Sequence, residues 1–436
     1  MKLLTMVLPI LATPAMAATP LTLEEATARA LAASPRILAA QNDASAAAQG
    51  AAQARARRFG AVDLTGAYNH YESDRLVRPM AIDLFKNPAG GFSQLPWDAD
   101  QLHYGIAWQI PLLSGGALSE GQKIARLGAD SAASTAAFTR TEVRFAVRAA
   151  YRNALVLTHA QAAAEAYVAA LTRDAADGDL KVRLGTWASV DAEKLRFALA
   201  GAQAEREGLR AQGRAAQAAL AALMGDEPSP SGYALEDVPD ERTPPELPSV
   251  DPAPALAQRA DLAAVQSQTR AAERREALAK KSFGPEVAVT GSWLGNRGLS
   301  LGDSLPTHEI AVVVKVPLFD GGARLAGLRQ ARAARAAADE RLRGKRLEVA
   351  AQVQDAGARL DAAEAQLEAG KTQGALGAEV ARVEKLKLDQ GAGKIEDYLT
   401  AQAQQLRGET AYWQGLYALQ TAWDYFEFVT GGGQQP

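Results

Sequence analysis

Four histidines, His70, His103, His159 and His308, are the residues best suited to bind a metal or act as general bases, and no two of them stand four apart, as ligands on successive helical turns would. Cysteine is absent, so disulfides, zinc–thiolate sites, iron–sulfur clusters and thiol catalysis drop out together. No His-Glu-x-x-His, P-loop or dinucleotide glycine pattern occurs. The Gly-Gly pairs at 115–116 and 321–322 lack the lysine and the spacing that cradle phosphate. The residue types therefore predict neither an enzyme nor a cofactor or metal site, and His103 reads as a water-facing strand residue. Among the carboxylates, Asp191, Glu396 and Asp397 each follow a glycine-marked break. Such acids, repeated around a pore, concentrate cations at its mouth. In the first turn of a helix they are also favoured by the backbone dipole, by about 0.3 to 1 kcal/mol.

Helices must carry those acids. Residues 112–227 and 318–435 contain no proline, while eight of the 20 prolines fall between Pro228 and Pro254. Proline costs a helix interior roughly 3 kcal/mol, so the two proline-free blocks are free to form very long helices and the cluster between them reads as an extended linker. Each block is interrupted once, at Leu184-Gly185-Thr186 and at Gln390-Gly391-Ala392, where glycine can supply a left-handed turn. The pattern predicts helices over 117–184, 188–225, 323–390 and 394–430, the long ones about 100 Å at 1.5 Å per residue. Shorter helices are expected over 22–59, opened by the capping box Thr22-Leu23-Glu24-Glu25, and over 252–283.

The chain repeats itself. Pro111-Leu112-Leu113-Ser114-Gly115-Gly116-Ala117 recurs 206 residues later as Pro317-Leu318-Phe319-Asp320-Gly321-Gly322-Ala323, and the same offset relates Gly185 to Gly391, Asp191 to Asp397 and Gly225 to Gly431. Phe59-Gly60 and Phe283-Gly284 match at an offset of 224, so the first copy carries extra residues in a loop. The organisation expected is a signal peptide at 1–17 ending Ala15-Met16-Ala17, a first repeat over 18–225, a proline-rich linker over 226–251, a second repeat over 252–431 and a flexible tail over 432–436. The leader implies export.

Between the helices the period changes from helical to alternating. Leu102, Tyr104, Ile106, Trp108, Ile110 and Leu112 alternate with Gln101, His103, Gly105, Ala107, Gln109 and Pro111. Ile310, Val312, Val314, Val316 and Leu318 likewise oppose Glu309, Ala311, Val313 and Lys315. Partner strands hold Val62, Leu64, Gly66 and Tyr68, and Val287, Val289, Gly291 and Trp293. One greasy face over about ten residues suits a tilted span of a bilayer, with His103, Gln109, Glu309 and Lys315 facing water and Tyr68, Tyr104, Trp108 and Trp293 in aromatic girdles. Pro111, Gly115, Gly116, Pro317, Gly321 and Gly322 would form the strand-to-helix turns. Residues 72–100 would form an external loop longer than its counterpart near 296–306. Four strands leave two edges unpaired in hydrocarbon, so a membrane location demands oligomerisation, and three copies would close a 12-stranded barrel. A net charge of −3 without a basic stripe predicts no nucleic-acid partner. The helices alone would also suit a periplasmic coiled-coil rod.

The duplicated Pro-Leu-x-x-Gly-Gly, the opening Leu21-Thr22-Leu23-Glu24-Glu25-Ala26 with Ala30-Leu31-Ala32-Ala33-Ser34-Pro35, and the run Gly391 to Ala401 together resemble the TolC-like outer-membrane efflux proteins. The resemblance covers nearly the whole chain after the leader. It implies a mainly α protein with a membrane β part: long helical hairpins form a periplasmic tunnel, and four strands per protomer form a shared 12-stranded barrel in a homotrimer. It further implies a passive exit channel for small molecules in a tripartite efflux pump, docked through a periplasmic adaptor onto an inner-membrane transporter, or else the duct of a type I protein secretion system. In the family the pattern matched by Gly391, Ile395, Asp397, Leu399 and Ala401 marks the periplasmic end. This chain has Thr400 where the family often has a second acid, and Gly393 where it often has a base. The resemblance thus assigns Leu184, Gly185, Thr186, Gln390, Gly391 and Ala392 to adaptor-docking tips and Asp191, Glu396 and Asp397 to the periplasmic aperture.

Overall fold

The computed structural model describes residues 20–78, 95–229, 232–238 and 250–431. The expected leader and tail lie outside these residues. The chain divides into two units, one of Ala40–Ala136 with Ala260–Leu347, the other of Met1–Ala39, Ala137–Arg259 and Glu348–Pro436.

The first unit holds a four-stranded antiparallel sheet in the order β1 (Ala61–Leu76), β2 (Trp97–Ser114), β3 (Glu286–Gly298) and β4 (Leu305–Lys315). Its register realises the alternation in the sequence. Val62, Trp108, Gly291 and Ile310 share one transverse row and Leu64, Ile106, Trp293 and His308 the next. One expectation fails here. Pro111 is not in a turn: β2 runs on to Ser114, and a bulge between Pro111 and Leu113 absorbs the missing N–H. The first loop is also shorter than expected, because β1 reaches Leu76 and β2 begins at Trp97; most of it lies outside the described residues.

Helix starts follow each strand pair. Gly115 and Gly116 have φ of 55° and 84°, and Gly321 and Gly322 of 65° and 90°, left-handed values that a Cβ disfavours. The two x positions before these glycines share a task. Ser114 Oγ accepts from the Leu118 N–H at 3.2 Å, while Asp320 accepts from the N–H groups of Gly322 and Arg324 at 3.1 and 3.0 Å.

Helices occur in both units. α1 (Leu23–Ala33) and α2 (Pro35–Ala56) are separate, where one helix was expected, because Pro35 lacks the N–H and crowds the preceding turn. Thr22 Oγ1 accepts from the Glu25 N–H at 3.1 Å, half of the expected box. α3 (Ala117–Arg183) and α4 (Ser189–Met224) follow β2; after the linker come α5 (Ala253–Gln258) and α6 (Ala260–Lys281), and after β4 come α7 (Ala323–Asp389) and α8 (Ile395–Thr430). α5 and α6 break at the extended Arg259, where no proline announces it; its guanidinium instead holds Gln352 Oε1 at 2.5 Å. By length and composition α3 could cross a membrane. Its alanines raise the hydropathy without any 18-residue apolar run, and Val143, Val147, Tyr151, Leu155 and Leu171 are buried in the helical cores.

Residues 232–238 of the linker are packed rather than loose. Leu235 bridges Leu21 in parallel, and the Tyr151 hydroxyl lies 2.6 Å from Leu21 O and 2.7 Å from Glu236 O while accepting from the Glu236 N–H at 3.0 Å. Burial raises the Tyr151 phenol to about 12. Tyr233, Leu235 and Val238 cover the core beneath.

Candidate functional site

The sheet presents two chemically opposite faces. Val62 (74% exposed), Leu64 (85%), Ile310 (77%) and Val312 (65%) belong to a continuous apolar face with Ile106, Ile110 and Val314, all uncovered in the protomer. Soluble monomers bury such a face. Two of its gaps are glycines filled from the neighbouring strand: Trp108 lies over Gly291 and Tyr104 over Gly295. The other face carries the residues predicted to meet water. Asp63, Ser292 and Glu309 share a row, Gln109 and Thr290 the next, and Lys315 faces Glu286. His103 Nδ1 lies 2.8 Å from Asn296 Oδ1, and Asn296 Nδ2 donates to Leu305 O at 2.9 Å and Thr307 Oγ1 at 3.0 Å. Gln109, Glu309 and Lys315 are exposed there, without a metal-ligand geometry.

The helix tips are built twice from one plan. α3 ends with Thr186 N donating to Lys181 O (2.9 Å) and Gly185 N to Val182 O (3.0 Å); α7 ends with Ala392 N donating to Lys387 O (2.9 Å) and Gly391 N to Leu388 O (3.1 Å). Both are Schellman caps around a left-handed glycine, φ 73° and 72°. Leu184 is 69% exposed, and apart from the adjoining residues no atom lies within 4 Å of where a Cβ would stand at Gly185 or Gly391. These turns need glycine for its conformation and leave an open surface beyond it.

Behind the tips lies a charge network that no spacing in the sequence announced. Lys194 Nζ donates to Glu396 Oε1 at 2.6 Å and Asp191 Oδ1 at 3.3 Å, joining two of the three predicted aperture acids across the repeats. The ammonium holds the Glu396 carboxyl below its ordinary range, and Glu396 in turn raises Lys194. Asp397 is exposed and pairs with no cation among the described residues. Farther back, Asp174 accepts from Tyr398 Oη at 2.6 Å and Lys385 Nζ at 2.8 Å, with burial foremost in pushing the Tyr398 phenol far up. Lys181 reaches Asp389 at 3.6 Å. Offset 206 pairs Lys194 with Thr400 and Asp174 with Val380, so the duplication itself hides these contacts. Among the described residues no group of three His, Asp or Glu side chains could hold a metal.

A sheet with one exposed apolar face and duplicated helical hairpins are features of the channel-forming class. The family model for the outer membrane efflux protein matches residues 26–226 and 252–432, and the chain belongs to that family. It is an outer-membrane channel protein, and the family and fold are those of channels rather than enzymes. Comparison with curated proteins finds no match. Among solved structures, the outer membrane protein VceC of Vibrio cholerae is similar at 18% identity and TM-score 0.77, over 95% of this chain and 97% of that one. The CmeC outer membrane channel of Campylobacter jejuni is similar at 15% and 0.78, over 94% and 86%. The open state of the Neisseria gonorrhoeae MtrE outer membrane channel is similar at 18% and 0.74, over 95% and 89%. These likenesses establish the fold.

Proposed function

We propose that the protein is the outer-membrane exit duct of a tripartite efflux pump, working as a homotrimer that passively conducts small molecules delivered through a periplasmic adaptor by an inner-membrane transporter. The observation that carries this reading is the four-stranded sheet, whose β1 and β4 edges have no strand partner among the described residues and whose one face is apolar and exposed. Unpaired edges in hydrocarbon cost several kcal/mol per group, and closure of three such sheets into a 12-stranded barrel removes every edge. The polar face with His103, Gln109, Glu309 and Lys315 then lines the lumen. The repeats at 18–225 and 252–431, joined by 226–251, each supply one tip, so a trimer carries six: Leu184, Gly185 and Thr186 alternating with Gln390, Gly391 and Ala392. These dock the adaptor. Asp191, Glu396 and Asp397 sit beside them at the aperture.

The test is Gly185→Trp or Gly391→Trp in the full chain. Each should abolish efflux while the heat-sensitive trimer and its single-channel conductance survive, because the substituted surface is open in the protomer. Loss of the trimer itself would reduce the tips to structural turns, and recovery of the wild type as a soluble monomer would sink the duct.

A further inference from the structure

Arg55, Arg57 and Arg58 lie in the end of α2 and the 3-10 turn that follows it, three to six residues before β1 begins at Ala61. All three are exposed, and none pairs with a carboxylate among the described residues. The offset of 224 places Ala279, Lys281 and Ser282 at the equivalent positions of the second repeat, where the one cation, Lys281, is neutralised by the buried Glu120 at 2.9 Å. The unpaired cluster is followed at once by Phe59, 72% exposed, and then by the apolar face through Val62 and Leu64. Phe283, Leu318 and Phe319 are exposed at the same end of the sheet's strands, where β3 begins and β4 ends.

Cations without internal partners, set at the border of a lipid-facing surface and beside an exposed aromatic ring, match an interfacial layer of negative phosphates. We propose that Arg55, Arg57 and Arg58 bind the headgroups of anionic phospholipid in the periplasmic leaflet. The proposal rests on the duct reading above, which sets this end of the sheet toward the periplasm. Charge complementarity and continuity with the lipid-facing strands select the lipid as occupant. A planar guanidinium gives two donors to a phosphate, so each arginine fixes a headgroup rather than merely attracting it. In a trimer the cluster occurs three times, once beside each β1.

The experiment reconstitutes the full chain in phosphatidylcholine vesicles and compares spin-labelled phosphatidylglycerol with spin-labelled phosphatidylcholine in the motionally restricted layer. The wild type should prefer phosphatidylglycerol. Each arginine near an anionic surface is worth about fivefold at low ionic strength, so the triple variant Arg55→Gln, Arg57→Gln, Arg58→Gln should lose most of the preference and most of its salt dependence. Arg329→Gln with Arg346→Gln, both exposed on α7, should leave it unchanged. An equal preference in wild type and triple variant, or none in the wild type, overturns the proposal. So does loss of the trimer in neutral detergent on the triple substitution, which would assign the arginines to a neighbouring protomer. Arginine-dependent binding of purified peptidoglycan without lipid preference would assign them to the cell wall. A protein that conducts ions yet shows no lipid preference overturns this inference alone; one that does not enter the bilayer overturns the duct reading.

Discussion

At the tip the acids are not equivalent. Glu396 and Asp191 share Lys194, whereas Asp397 stands exposed one residue from Glu396. A paired carboxylate contributes little field beyond its partner, so the charge that reaches a passing ion comes from Asp397. Asp397→Asn should therefore weaken cation selectivity in planar bilayers more than Glu396→Gln does, and Lys194→Gln should strengthen it. Equal effects of the two acid substitutions would place both carboxylates in the same field. The bridge also has a pH window. Glu396 is lowered in the fold, so its contribution is complete above the ordinary glutamate value of about 4.3 and is lost as pH falls through the lowered one. Lys194 is raised, so its share is complete below the ordinary lysine value of about 10.4 and is lost as pH rises through the raised one. Spin labels at Thr186 and Ala392 should keep one separation across neutral pH and broaden below about pH 4. An unchanged distance distribution there would mean that packing alone holds the tips.

Among the elements, the strands carry the sharpest expectation. Ile106 and Val312 lie on the exposed apolar face, while Ala107 and Ala311 lie on the face with Glu309 and Gln109. Arginine at Ile106 or Val312 should cost about 2 to 4 kcal/mol near the bilayer midplane, and arginine at Ala107 or Ala311 much less. The yield of detergent-stable trimer measures the difference, and equal losses on the two faces would refute the register. This register was legible in the sequence because a period of two leaves only one way to gather the apolar residues. The helix ends were legible because a glycine at C′ has a conformational cause and occurs twice. Breaks without such a cause were not: Pro35 marked its junction, but Arg259 breaks its helix through tertiary contacts with Gln352. The same holds for residues 232–238 of the linker, whose composition says only that they are not helical; their place against Leu21 and Tyr151 depends on two residues 130 apart in the chain. Pro111 misled for the opposite reason, a local rule overridden by a bulge.

Across the whole chain, the duplication is held together by contacts that are themselves not duplicated. Arg152, 2% exposed, and Arg148 on α3 converge on Asp424 of α8, 4% exposed, with Arg148 Nε at 3.0 Å and Arg152 Nε also donating to Gln420 Oε1 at 3.1 Å. The positions 206 residues away are Ala358, Gln354 and Ala218, so the equivalent site in the pseudo-symmetric arrangement has no charge lock. A symmetric pair of hairpins could dock in either sense, and one buried ion cluster on one side penalises the exchanged arrangement. Removing a single partner should reveal that penalty. Asp424→Ala leaves Arg152 buried without its carboxylate and should cost about 3 to 5 kcal/mol, whereas Arg152→Met combined with Asp424→Leu should recover most of it. Heat-induced dissociation of the purified trimer reads both. If the double substitution melts as low as the single one, the ion cluster contributes through its own favourable geometry. If it recovers stability but the channel population becomes heterogeneous in conductance, the cluster's task is to select one arrangement of the two repeats.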